Sequence, residues 1–92
     1  MVILVARHRV KDVEHWLNGY KSPAAKAVRE RMGVIAETAY VSIQEDNQVM
    51  VVHHFQTQTA LQAFLDLPEF KAGLKELGVL EPIELKQYTE LE

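Results

Sequence analysis

The stretch Val49-Met50-Val51-Val52-His53-His54-Phe55 is apolar on both faces of a strand and ends in two adjacent histidines and a phenylalanine. Side chains alternate along a β-strand, so the two imidazoles point to opposite sides of the sheet. A strand that is apolar on both sides needs a packed layer against each face of the sheet, and a chain of 92 residues supplies little more than one such layer. The stretch therefore predicts a central strand with helices over one face of the sheet and a second copy of the chain over the other.

The segments around this strand predict the order β-α-β-β-α-β. Met1–Val10 is rich in β-branched residues, and Asp12 is placed to cap a helix whose apolar stripe begins at Val13. The Ser22-Pro23 pair predicts a kink or a restart in this helix, because proline fits the first turn of a helix and not its interior. The later segments are a strand Val34–Gln44, a two-residue turn at Asp46-Asn47, a helix capped by Thr57 or Thr59, a helical piece from Pro68, and a strand Ile83–Leu91.

This order is that of the ferredoxin-like α+β fold, an antiparallel sheet with helices on one face, and residues 1–92 are expected to form a single domain. The first and third strands are expected at the centre of the sheet as parallel neighbours, and the more charged second and fourth strands at its edges. The face without helices would then expose Val49, Val51 and Phe55 to water, a large apolar patch. Face-to-face pairing of two such sheets gives a dimeric α+β barrel, so a homodimer through the sheet face is expected.

The composition excludes several classes of function. The chain is 48% hydrophobic and 25% charged, carries a net charge of −3 and has no basic segment, which disfavours nucleic acid and anionic membranes as partners. The absence of cysteine excludes disulfides, thiolate chemistry and cysteine-based zinc sites. The first apolar run, Val2–Ala6, is too short for a signal peptide or a membrane span. We therefore expect a cytoplasmic protein.

The predicted two-residue turn sets a hairpin register in which Tyr40 lies opposite His53. One face of the hairpin then mixes aromatic and hydrogen-bonding groups, as the wall of a ligand site does. The other face is aliphatic and suits packing under the helices. The expected ligand wall holds Thr38, Tyr40, His53 and Phe55; the expected helix-covered face holds Val41, Ile43, Met50 and Val52.

His8 and His53 are the candidate catalytic residues. Because the first and third strands are expected to be parallel neighbours, the two imidazoles are expected to stand side by side, and imidazole titrates near neutral pH as acid–base chemistry requires. The alternative is that both are strand-end histidines bonded to the backbone or to Tyr40.

Trp16 belongs to the helix stripe and is either a core residue or part of the pocket lining. His54 is expected on the helix side or at a dimer contact. Because His53 and His54 diverge, they do not share an ion, and no metal site is predicted.

Several segments resemble the antibiotic-biosynthesis-monooxygenase-like proteins, a family of dimeric α+β barrels that includes cyclase-like members. The similar segments are His8–Val13 with Trp16, Val51–Phe55, Ala60–Phe64, Pro68–Phe70 and Gly78–Leu80, and they cover essentially the whole chain. The resemblance implies a cavity for small aromatic or polycyclic molecules, with several members needing neither metal nor flavin, so no cofactor is expected. Phe55 stands where the family has an aromatic residue at the end of the third strand. Haem-degrading relatives carry a histidine on the second helix, and this chain has none there.

Three functions remain open from the sequence, and one of them, a purely structural interaction protein, rests only on the predicted apolar sheet face. The first is a cofactor-independent monooxygenase, cyclase or isomerase on a small aromatic or polyketide-like substrate. In this function His8 and His53 move protons, Tyr40 orients the substrate and Phe55 forms an apolar floor. The second is a non-enzymatic dimeric binding or stress-associated module whose interior performs no chemistry.

Overall fold

The computed structural model describes all 92 residues, which form four strands and four helices in the predicted order. Two helices precede the central hairpin in sequence and two follow it. The elements are β1 Val2–Val10, α1 Val13–Tyr20, α2 Pro23–Arg31, β2 Val34–Val41, β3 Gln48–Phe55, α3 Gln58–Asp66, α4 Pro68–Glu76 and β4 Val79–Thr89. Against the predicted bounds, β2 ends three residues earlier and β4 begins four residues earlier.

The predicted starts of α1, α2 and α3 are confirmed by side-chain caps. The carboxylate of Asp12 accepts the backbone N–H of His15 at 2.9 Å, and the hydroxyl of Ser22 accepts that of Ala25. Ser22-Pro23 thus ends one helix and starts the next. Thr57, and not Thr59, caps α3. None of the four helices combines the length and the apolar character needed to cross a bilayer.

The sheet has the order β2-β3-β1-β4, so the prediction that β1 and β3 lie at the centre is confirmed. The prediction that they are parallel is wrong, because every neighbouring pair is antiparallel. The helical crossover α1–α2 makes β1 and β2 run the same way, and the hairpin then reverses β3 relative to both. The fold is the ferredoxin-like α+β arrangement.

The antiparallel register separates the two candidate histidines. Leu4 of β1 lies opposite His53, whereas His8 lies opposite Val49. The two histidines therefore sit four residues apart along the sheet, which corresponds to roughly 13 Å of strand. They share one face but do not stand side by side as expected.

The helices cover the opposite face of β3 from the one expected. Val49, Val51, His53 and Phe55 are buried beneath the helices, and the open face carries the half-buried Met50, Val52 and His54. Both faces of β3 are apolar, so its pattern could not select between them. The handedness of the strand–helix–strand crossover decides which face is covered.

The hairpin is wider than the predicted two-residue turn. Residues 42–47 connect the strands, with the hydroxyl of Ser42 accepting two backbone N–H groups and Asn47 in the left-handed region at φ 57°. Tyr40 consequently pairs with Met50 rather than with His53. This register places Tyr40 on the open face of the sheet.

Two buried clusters hold the helices against the sheet. They lie toward opposite ends of β1, one around Leu4 and the other around Val10. The first contains Leu4, Val34, Phe55, Leu61 and Phe64, and the second Ala6, Val10, Trp16, Val49 and Val51.

A register shift in β2 changes which of its side chains face the helices. The shift falls between Val34 and Ala36, so that Val34 pairs with Phe55 and Glu37 pairs with His53. Bulges of this kind re-aim side chains. Here the irregularity turns the carboxylate of Glu37 toward the helix-covered face, beside His53.

Candidate functional site

A cavity of about 420 Å³ lies between the helix-covered face of the sheet and the helices. Most of its lining is apolar, including Trp16 from α1, Phe64 from α3 and Phe70 from α4. The buried polar side chains on its wall are His8, His53 and Arg29. A concave apolar site with a few convergent polar groups is the usual form of a small-molecule site, and its volume is in the usual range of roughly 300–1,000 Å³.

His8 lies on the cavity wall with no hydrogen-bond partner. The residue is only 4% exposed, and neither ring nitrogen contacts a donor or acceptor of the protein. Its ring meets Trp16 edge to face, with centroids 6.2 Å apart. Burial lowers the pKa of His8 below its ordinary value of 6.5, so the ring is neutral at pH 7.

His53 is equally buried but has one protein partner. Its Nε2 lies 2.8 Å from the hydroxyl oxygen of Tyr20, while its Nδ1 has no partner. Burial, reinforced by the charge of Arg29 and opposed by that of Glu37, lowers the pKa of His53 to about 4. The neutral ring therefore keeps a nitrogen free for a ligand.

Tyr20, Glu37 and Arg29 form a polar network behind His53. The hydroxyl oxygen of Tyr20 lies 3.2 Å from Oε2 of Glu37, and Arg29 pairs with the same carboxylate through its Nε. The guanidinium carbon of Arg29 also lies 3.9 Å from the centroid of the Tyr20 ring, a cation–π geometry. Burial is the main cause that raises the pKa of Tyr20, so its hydroxyl stays protonated.

Aromatic rings join the two histidines into one wall. Trp16 stacks on Tyr20 with centroids 5.1 Å apart, and Tyr20 lies nearly parallel to the ring of His53 at 6.0 Å. Phe64 meets the His53 ring edge to face at 5.7 Å. Such contacts fix ring orientation. The wall can therefore accept a flat molecule against oriented aromatic surfaces.

The structure gathers only some of the residues predicted for the site. His8, His53 and Trp16 line the cavity. Tyr40 and Thr38 do not, because the hairpin register puts them on the open sheet face, where Tyr40 is 50% exposed. Phe55 does not line it either, since it is fully buried in the cluster around Leu4.

Sequence reasoning missed Glu37 and Arg29 as members of the site. The sequence places Glu37 on a charged edge strand, yet Glu37 alternates with Ile35 and Ala39. A single carboxylate among the apolar residues of one strand face indicates a buried, paired charge. On α2, Arg29 directly follows Val28 of the apolar stripe. A charged residue beside that stripe is the corresponding indication of a buried charge. No group of three or more histidine and acidic side chains is arranged to hold a metal ion.

The depressed pKa of His53 predicts that stability falls in mild acid. In the unfolded chain His53 takes up a proton near pH 6.5, whereas in the folded protein it does so only near its lowered pKa of about 4. The contribution of neutral His53 to the free energy of unfolding is therefore complete above pH 6.5. It is lost as the pH falls toward 4, by roughly 3 kcal/mol in total. Urea unfolding at pH 7.5 and pH 4.5 measures the loss. A His53→Leu variant should lose less over this interval, and an equal loss in both proteins would contradict the assignment.

Comparison with known proteins identifies the fold and nothing more specific. No family model matches the chain, and no curated protein matches it. Among solved structures, the cofactor-independent oxygenase SnoaB from Streptomyces nogalater is 18% identical with a TM-score of 0.77, the alignment covering 99% of this chain and 93% of that one. An antibiotic biosynthesis monooxygenase-like protein from Deinococcus radiodurans is 22% identical with a TM-score of 0.73, covering 100% and 94%. A similar protein from Caulobacter crescentus is 17% identical with a TM-score of 0.78, covering 99% and 90%. The chain has the fold of the antibiotic biosynthesis monooxygenase-like proteins.

Proposed function

We propose that the chain binds a flat, largely apolar molecule carrying hydroxyl or carbonyl groups and oxidises it with molecular oxygen without a cofactor. The observation that carries this proposal is the pair of buried, neutral imidazoles, His8 and His53, with three ring nitrogens that the protein leaves unpartnered on an apolar cavity wall. A buried polar atom without a partner costs about 1–3 kcal/mol. A ligand that hydrogen-bonds to these nitrogens removes that cost, and the aromatic wall supplies its apolar contacts.

The chemistry follows from what a neutral imidazole can do next to an oxidisable substrate. Oxygenation without a cofactor requires the substrate itself to deliver electrons to O₂, which it does once a base has removed an acidic proton. His53 Nδ1 accepts that proton, and His8 hydrogen-bonds to a second polar group and orients the ring system. An activated methylene then becomes a carbonyl: the carbon loses two hydrogens and gains one oxygen atom, and the other oxygen atom leaves with those hydrogens as water. The description of SnoaB as a cofactor-independent oxygenase supports this reaction class.

Anthrone is a suitable probe because its acidic methylene lies between two aromatic rings. Trp16 is the only tryptophan of the chain and lies on the cavity wall, so its fluorescence reports occupancy of the site. We expect anthrone to quench this fluorescence and to be oxidised to anthraquinone, with one O₂ consumed per molecule and no added flavin, nicotinamide or metal. A protein-free reaction corrects for spontaneous oxidation. Absence of both quenching and oxygen uptake would reject the proposal.

A binding module without chemistry is the second candidate. The observation that favours it is the low pKa of His53, about 4, which makes the ring a weak base although it remains a good hydrogen-bond acceptor. Saturable quenching of Trp16 by anthrone without oxygen uptake above the protein-free rate would support this function over the enzymatic one.

We infer that a second copy of the chain covers the open face of the sheet. The central strands present Val5, Met50 and Val52 on this face, and the edge strands add the half-exposed Tyr40 and Tyr88.

Light scattering should give twice the 10.5 kDa of one chain. Val52→Glu should shift the protein to the monomer because it buries a charge at the centre of the interface. Ala63→Glu, on the exposed side of α3, is the matched control; a monomeric wild-type protein would contradict the inference.

A further inference from the structure

The hydroxyl of Tyr20 has one proton and two neighbours that could accept it. His53 Nε2 lies 2.8 Å from the hydroxyl oxygen, and Glu37 Oε2 lies 3.2 Å from it. Which neighbour receives the proton determines the tautomer of His53. If Tyr20 donates to Nε2, the ring proton of neutral His53 is on Nδ1. If Tyr20 donates to Glu37, Nε2 carries the ring proton and donates it to the tyrosine oxygen.

The charge of Glu37 selects between these two arrangements. Arg29 is 93% buried and forms an ion pair with this side chain, and a carboxylate in an ion pair can only accept hydrogen bonds. If Tyr20 donated its hydrogen bond to His53, the tyrosine oxygen and the carboxylate oxygen would face each other at 3.2 Å with no proton between them. If Tyr20 instead donates its proton in a hydrogen bond to Glu37, Nε2–H of His53 donates to the tyrosine oxygen. Both short contacts of Tyr20 are then hydrogen bonds. The second arrangement gives the Tyr20 hydroxyl, Nε2 of His53 and the Glu37 carboxylate a hydrogen bond each.

We propose that Tyr20 and Glu37 are positioning residues that hold neutral His53 with its ring proton on Nε2, which leaves the lone pair of Nδ1 as the base available to the ligand. Arg29 forms an ion pair with this carboxylate, and the register shift in β2 brings Glu37 to this face of the sheet. The tautomer is a property of the ligand-free protein, and only its catalytic consequence rests on the proposed function.

The network also accounts for where charge goes when the base acts. A ligand X–H bond breaks, its electron pair stays on X, and the proton forms an N–H bond at Nδ1. The imidazolium then donates from Nε2 to Tyr20, which continues to donate to Glu37. The carboxylate oxygen lies 3.9 Å from Nε2 and stabilises the new positive charge. No oxidant or reductant takes part in this step.

The direct test is ¹⁵N NMR of ligand-free protein labelled at histidine, recorded at pH 8, where His53 is neutral. A His53→Ala sample identifies the His53 signals. We expect the ring proton of wild-type His53 on Nε2. A ring proton on Nδ1 in the wild-type protein would overturn the proposal without any variant being needed.

A paired substitution shows whether the network sets the tautomer. Arg29→Met combined with Glu37→Leu removes both charges together, which avoids leaving one buried charge unpaired. The hydroxyl of Tyr20 then has only His53 as acceptor, and we expect the ring proton to move to Nδ1. The matched control is Arg7→Met with Glu84→Leu, which removes an exposed ion pair on the open face. An unchanged tautomer in the network variant would contradict the proposal.

Tyr20→Phe provides a second test should the paired variant not fold. It keeps the stacked ring and removes only the hydroxyl. We expect the slowly exchanging Nε2–H signal of His53 to disappear, because its acceptor is gone, whereas Tyr88→Phe on the open face should leave that signal unchanged. Persistence of the signal in Tyr20→Phe would show that Tyr20 does not hold this proton.

Turnover of anthrone separates failure of this inference from failure of the proposed function. With His53 in the other tautomer, kcat should fall on the order of 100-fold while KM changes little. If wild-type protein has the Nε2–H tautomer and the network variant reverses it but neither oxidises anthrone, the proposed function fails and the positioning role stands. If turnover is present and the network variant changes neither tautomer nor kcat, the positioning role fails alone.

Discussion

Replacing His53 with alanine is expected to lower the rate of anthrone oxidation by about 10²–10⁴-fold, the usual contribution of a positioned general base. His53 is the cavity imidazole whose ring is held by a hydrogen bond to Tyr20 as well as by stacking, while its Nδ1 stays free. The variant loses the base but retains the apolar wall, so quenching of Trp16 by anthrone should persist. Initial rates of oxygen consumption at saturating anthrone measure the effect, and circular dichroism verifies folding.

His54→Ala is the matched control for this experiment. His54 is the next residue of β3 and lies on the open face, on the other side of the sheet from the cavity. Its removal takes away the same side chain from the same strand, and we expect a rate within about 2-fold of wild type, since a substitution away from the reacting atoms removes no transition-state contact. Equal losses in the two variants would point to damage to the sheet, and an unchanged rate in His53→Ala would remove His53 from the mechanism.

Replacing Phe55 with alanine is expected to lower the free energy of unfolding by about 3–5 kcal/mol, the cost of emptying a well-packed aromatic site. Phe55 has no exposed surface, belongs to the cluster around Leu4 and lies with its ring centroid 5.6 Å from that of Phe64. For a domain whose total stability is roughly 5–15 kcal/mol, this is a large fraction. Urea unfolding followed by circular dichroism measures the change.

Leu91→Ala serves as the control for stability, because Leu91 is 98% exposed and its loss should shift unfolding by less than about 0.5 kcal/mol. A milder substitution, Phe55→Leu, tests the role expected from the sequence. If Phe55 is a core residue, Phe55→Leu should leave anthrone affinity unchanged. A tenfold loss of affinity with little loss of stability would instead make Phe55 a ligand-binding residue.

The fold could be predicted closely because it depends on local patterns. Asp12 and Thr57 cap helices through contacts three residues away, and the Ser22-Pro23 break follows from the missing N–H of proline. The two-sided apolar character of β1 and β3 indicated their central position, which the sheet order confirms. These features involve residues near one another in sequence or the composition of a single strand.

The candidate site was predicted only in part, because it depends on which face of each strand meets the helices. His8, His53 and Trp16 were recognised by residue type and lie on one cavity wall. The predicted hairpin register puts Tyr40 and Thr38 on the same wall, but the longer loop changes that register by several residues. A single shift of register moves a side chain to the other side of a sheet, so errors in the loop become errors in the site.

The sequence by itself determined the order of the elements, the central strands and the presence of histidines on both sides of β3. Only the tertiary structure decided that His53 lies under the helices, that His8 stands about four residues away along the sheet, and that Glu37 and Arg29 join Tyr20 behind the His53 ring. The physical reason is that these relations depend on the crossover handedness, the loop length and a bulge in β2. Each of these is set by packing between distant segments, which alternation within one strand does not record.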